Sequence, residues 1–265
     1  MTLLTARRGT AAPAITAAVT SLLALVVMVR IALGSARGQQ WDESAMNTVT
    51  GGRDTRLAVL SVLGYIGIGG VVAVAVACGV VAVLRGRIAL AVGAAAVIAG
   101  ANMTTQALKH TLLDRPDFGL GTLNSLPSGH TTVVASAVGA SLLVAPRLWK
   151  PVVALAGGFA TTLTGASTIV AGWHRPADVV AALAVSLFWT ALAALLLRGS
   201  AGAPVAGTVA GVLVGCAAAL AALIAIGVRP VLGWDGFTQS ALVLGAVTAA
   251  TALFVTAAAA VSPAE

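Results

Sequence analysis

Charge is what this chain has least of: 9% of its 265 residues are Asp, Glu, Lys or Arg, where a soluble globular domain carries about a quarter. That scarcity excludes an ordinary water-soluble domain, and the 59% hydrophobic content points to an integral membrane protein. Cysteine is nearly missing. Cys78 and Cys216 both sit inside apolar runs, where a thiol behaves as a small buried apolar group. Neither a disulfide framework nor a cysteine metal site is indicated. Aromatic residues amount to 4%. The net charge of +7 is spread over connecting segments with no basic stripe interleaved with aromatics, which excludes a nucleic-acid partner.

What is abundant is long apolar sequence. A transmembrane helix needs about 20 mostly apolar residues, and eight runs qualify: 13–34, 57–82, 88–108, 130–146, 151–171, 177–197, 204–227 and 239–261. The first run exceeds the 7 to 15 apolar residues of a signal-peptide core, so it is read as a span. Arg7 and Arg8, Arg85 and Arg87, Arg147 and Lys150, and Arg198 fall on one side of this pattern. The positive-inside rule makes that side, and both termini, cytoplasmic. Arg37, Arg53 and Arg56 in the first opposite loop run against the bias. Gly207, Gly211 and Gly215 recur every four residues in the seventh span, a small-residue face for close helix packing. Such a face mostly packs within its own chain, and a homodimer contact is the alternative use.

The polar chemistry is concentrated in three stretches: 109–116 (KHTLLDRP), 127–130 (PSGH) and 167–178 (STIVAGWHRPAD), which hold all three histidines. Ionisable groups near membrane depth are costly and usually functional. Asn102, Gln106 and Lys109 share one helical face leading to the first stretch. Lys109 offers a point charge and Arg115 a planar fork of donors, a pair suited to phosphoryl oxygens. Ser128 and Gly129 open a helix whose free N–H groups and dipole favour an anion. Gly129 allows close backbone approach, and Ser128 can cap the helix or donate to phosphate. His174 and Asp178, four apart beside Pro176, lie on one helical face. There the carboxylate can hold one imidazole nitrogen as N–H and leave the other as a nucleophilic lone pair.

These three stretches resemble the signature of the type 2 phosphatidic acid phosphatase superfamily, K-x6-R-P, P-S-G-H and S-R-x5-H-x3-D. Two positions depart from it: five residues separate Lys109 from Arg115, and Thr168 stands where the family has arginine. The resemblance implies an all-α polytopic membrane bundle, with a six-span catalytic core over 1–200 and two added spans over 201–265. It implies a lipid phosphate or pyrophosphate hydrolase in the plasma membrane, with the site on the extracytoplasmic face. The candidate substrates are polyprenyl pyrophosphate, phosphatidic acid and phosphatidylglycerol phosphate, with membrane lipids as the surroundings. By position His174 is the nucleophile, oriented by Asp178, and His130 protonates the leaving oxygen and then activates water. Lys109, Arg115, Ser128 and the Gly129 N–H hold the phosphoryl oxygens, and Arg175 is the candidate to replace the missing arginine. No cofactor or metal is expected. The alternatives are a phosphate or headgroup transferase, a lipid-phosphate binding or transport protein, and a zinc site built from His130, His174 and Asp178.

Overall fold

The computed structural model describes residues 11–65, 68–197 and 206–263. Ten α-helices account for most of them: α1 Ala12–Leu33, α2 Ala36–Met46, α3 Arg53–Tyr65, α4 Ile68–Leu84 and α5 Ile88–Ala107, then α6 Gly129–Val144, α7 Lys150–Val170, α8 Pro176–Leu196, α9 Ala206–Ala225 and α10 Phe237–Val261. The chain is thus an all-α bundle. Six segments are long and apolar enough to cross a membrane: α1, α5 with the turn that follows it, α7 with the turn before it, α8, α9 and α10. Helices α4 and α6 are apolar but shorter, at 17 and 16 residues.

The run expected as one span over 57–82 divides differently. Its first part belongs to α3, which opens with Arg53, Asp54 and Arg56 and packs Val59 and Leu63 against Ala166, Ile169 and Val170 at the end of α7. Residues 66–67 lie outside the described residues, and α4 begins beyond them. The polar opening turn and the glycines at 64, 69 and 70 explain the division, because glycine weakens a helix interior. Two further elements carry no strong sequence signal. Helix α2 is polar and short. A two-stranded antiparallel ladder pairs Val49 with Pro230 and Thr50 with Arg229, joining the connection after α2 to the one after α9.

Apolar clusters define two ends of the bundle. At one end Ala14 and Ala17 of α1, Ala82 of α4, Leu90 of α5, Val144 of α6 and Val261 of α10 pack together. Lys150 is buried there and donates to the carbonyls of Ser262 at 3.1 Å and Pro263 at 2.7 Å. Arg85 donates to the Val144 carbonyl at the same end. At the other end Ala32 and Leu33 of α1 meet Leu126, Ala177 and Ala181. Helices α9 and α10 are built into the bundle: Val212, Cys216, Phe254, Val255 and Ala258 share one core with Ala135, Leu142, Ala154 and Leu183. The glycine face of α9 is spent inside the chain, since a Cβ on Gly211 or Gly215 would collide with the carbonyl of Pro151 or Leu155 in α7.

Candidate functional site

A cavity of about 710 Å³ opens between α4, α5, α6 and the start of α8. Helix α5 supplies Asn102 and Gln106, and Lys109 and His110 come from a wider π-type turn, Leu108–Leu112, that extends it. The extra residue in this turn lets two consecutive side chains face one space, which a regular helix does not favour. Asn102 is fixed by donating to the Ile98 carbonyl at 2.8 Å and to Ser136 Oγ at 3.2 Å. Gly129 and His130, in the first turn of α6, line the opposite side together with His174. The rest of the lining is apolar: Val71, Val72, Ile98, Ala99, Met103 and Val133.

Ser128 folds back onto its own helix. Its Oγ accepts from Thr131 N at 3.4 Å and from Thr131 Oγ1 at 3.0 Å, so it acts as the N-cap of α6. The side chain is fully buried and is not among the lining residues. Capping leaves the other N–H groups of the first turn free, as an anion site needs.

Between α7 and α8 the chain reverses at Gly172, whose φ of 72° suits a residue without Cβ. The Thr168 carbonyl accepts from Trp173 N at 3.0 Å and His174 N at 3.2 Å, which carries His174 to the cavity. The Trp173 ring lies 5.5 Å from that of His130 and tilts across it. His174 Nδ1 is 3.2 Å from Asp178 Oδ2. With Asp178 as a carboxylate the proton belongs on Nδ1, and Nε2 keeps its lone pair. Asp178 Oδ2 also accepts from Ser125 Oγ at 2.7 Å and from Arg175 N at 2.9 Å. The carboxylate is almost wholly enclosed, and its charge is met by donors on three sides.

The remaining cations sit elsewhere. Arg115 was expected at the phosphate, but it is buried at the end of α1, donating to the Ala32 carbonyl at 3.3 Å, with Nε and Nη2 unpartnered. Burial lowers the Arg115 pKa from its ordinary value, with Arg175 adding to the effect while Glu43, Asp178 and Asp42 oppose it. Arg175, the candidate substitute for the missing arginine, also points away. Its Nε donates to Glu43 Oε2 at 2.6 Å and its Nη1 to Ser125 Oγ at 2.9 Å. Thr168 is fully buried and donates to the Gly165 carbonyl at 2.8 Å, so it turns into its own helix. Among the described residues Lys109 is thus the one lysine or arginine lining the cavity.

Several neighbours carried no motif. His110 and Trp173 were visible beside the motif residues but had no spacing rule attached. Ser125 lies two residues ahead of PSGH, and Asp42 and Glu43 belong to α2. Asp42 Oδ1 accepts from Ala177 N at 3.0 Å, in the first turn of α8. Burial, with Asp178 nearby, raises its pKa to about 7 despite that bond and the cations Arg175 and Arg115. The zinc alternative finds no ligand set: among the described residues no three His, Cys, Asp or Glu side chains converge.

Fold and cavity together define a multi-span helical membrane protein with a histidine-bearing chamber of mixed lining near one end of its bundle. Residues 89–200, the segment running from α5 through α8, match the family model of the PAP2 superfamily, and this segment belongs to that superfamily of phosphatases. No curated protein and no solved structure matches the chain.

Proposed function

We propose that the protein hydrolyses a lipid phosphate or pyrophosphate through a phosphohistidine on His174. The observation that carries this reading is the mixed lining of one cavity: Lys109, His110, His130, His174 and the Gly129 end of α6 share it with Val71, Val72, Ile98, Ala99, Met103 and Val133. An amphipathic substrate fits such a lining, with its phosphoryl group at the polar side chains and its chain against the apolar ones. A soluble phosphomonoester has no use for the apolar part of the lining.

In the proposed reaction His174 Nε2 attacks phosphorus and the P–O bond to the lipid breaks, while His130 delivers a proton to the departing oxygen. Water then loses a proton to His130 and attacks phosphorus. The P–N bond breaks, inorganic phosphate leaves and His174 is restored. Lys109 and the N–H groups of the first α6 turn balance charge on the phosphoryl oxygens. With Asp178 holding Nδ1–H, the imidazole stays oriented through both steps.

The test is phosphate release by purified protein from phosphatidic acid, phosphatidylglycerol phosphate and a polyprenyl pyrophosphate. We expect turnover of at least one, and losses of roughly a thousandfold or more in His174→Ala. His130→Ala should be impaired most on substrates with a poor leaving group. Equal phosphate release by wild type and His174→Ala would sink the mechanism, and binding without turnover in the wild type would turn it into a lipid-phosphate binder.

A further inference from the structure

We propose that α2 is a positioning element of the reaction: Glu43, acting through Arg175 and Ser125, keeps Asp178 Oδ2 as the acceptor of the His174 Nδ1 proton. The inference rests on the reading of His174 as nucleophile. It begins from the directions of three hydrogen bonds. A guanidinium donates and cannot accept, and a hydroxyl has a single proton. Arg175 Nη1 donates to Ser125 Oγ at 2.9 Å, so the Ser125 proton is left for Asp178 Oδ2 at 2.7 Å. The other side of the Arg175 fork is taken by Glu43 Oε2 at 2.6 Å. The chain of donors therefore runs from Arg175 to Ser125 to Asp178, with Glu43 anchoring its far end.

Glu43 also prevents a competing arrangement. Arg175 is adjacent to His174, and its backbone N–H already reaches Asp178 Oδ2 at 2.9 Å. Guanidinium and carboxylate form strong bidentate pairs. Released from Glu43, the Arg175 side chain would pair with Asp178 directly and displace the imidazole from its acceptor. The Arg175 and Glu43 side chains are 13% and 25% exposed, so water weakens the pair that prevents this only in part. Helix α2 is itself held against the site from two directions: Asp42 accepts from Ala177 N, and Gln39 Nε2 donates to the Pro116 carbonyl at 2.9 Å.

The experiment measures kcat and KM for phosphate release in detergent micelles, using whichever of the three lipids the wild type hydrolyses. Glu43→Ala and Ser125→Ala are expected to lower kcat about tenfold or more with KM within about twofold. Because the two residues act in one chain, Glu43→Ala/Ser125→Ala should be no more than about threefold worse than the poorer single variant. Glu43→Gln and Ser125→Thr keep the acceptor and the hydroxyl and should recover most of kcat. Wild-type kcat in both alanine variants, a change confined to KM, or losses that multiply in the double variant would each overturn the proposal. Should Glu43→Ala fail to fold, Ser125→Ala against Ser125→Thr decides alone, and equal kcat in those two overturns it. An inactive His174→Ala beside unaffected Glu43→Ala and Ser125→Ala removes this role and leaves the nucleophile assignment standing, whereas an active His174→Ala removes both.

Discussion

Of the cations in the three motif stretches, Lys109 lines the cavity while Arg115 and Arg175 are engaged behind it. The pairing of His174 with Asp178 was legible, but the shared helical face was not the route: His174 precedes the extended N-cap Arg175, and Asp178 reaches back to it from the first turn of α8. The partners of Arg175 were not legible, because Glu43 lies 132 residues away and no local rule reaches that far. Asp42 was hidden for the same reason, and it has a consequence of its own. Its carboxyl titrates at about 7 in the folded protein against an ordinary 3.8, so folding favours the protonated form. The resulting stabilisation is complete below about pH 3.8 and is lost as pH rises through about 7. Asp42 Oδ2 is buried without a partner, so the charge that appears there is poorly compensated. We expect Asp42→Asn, which can still accept from Ala177 N, to raise stability above pH 7 by up to about 4 kcal/mol and to match the wild type near pH 4. Thermal unfolding in detergent at the two pH values checks this, and an identical shift at both would contradict the raised pKa.

Helices were easier to foresee than their partners. Seven of the eight expected runs each correspond to one helix, because an uninterrupted apolar stretch leaves a backbone in lipid no other way to satisfy its polar groups. The exception is 57–82, where hydropathy ran on across a change of element. Helix α2 escaped notice because its stability derives from Asp42, Glu43 and Gln39 contacts made far along the chain. The α9 glycines illustrate what spacing can and cannot specify: it announces a close-packed face, and the fold assigns it to α7. Gly215→Leu should therefore cost about 1–3 kcal/mol through overpacking, because the Leu155 carbonyl occupies the space. Gly245, with nothing within 4 Å of a Cβ, provides the control, and Gly245→Leu should leave the melting temperature unchanged or raise it, since glycine weakens a helix interior. Equal destabilisation at the two positions would mean that contact with α7 does not govern the effect.

The bundle is polar in the sense of having unlike ends: Lys150 and Arg85 sit at one, while His174, Asp178 and α2 belong to the other. If the basic end is cytoplasmic, as the positive-inside rule requires, the histidines face outward. Single-cysteine variants lacking Cys78 and Cys216 test this, because Leu148 and Asp235 are both exposed and lie in connections at opposite ends. A membrane-impermeant thiol reagent added to intact cells should label Asp235→Cys and leave Leu148→Cys unmodified until the cells are opened; the reverse pattern would invert the orientation. The brevity of α6 bears on how such a protein would meet its substrate. Sixteen helical residues span roughly 24 Å, less than the ~30 Å hydrocarbon thickness, so the Gly129 end that lines the cavity stops beneath the level of the lipid headgroups when the other end is at the opposite boundary. A lipid would then arrive by sideways diffusion within its leaflet, and turnover would follow its mole fraction in that two-dimensional phase, falling when inert lipid or detergent dilutes it even at constant bulk concentration.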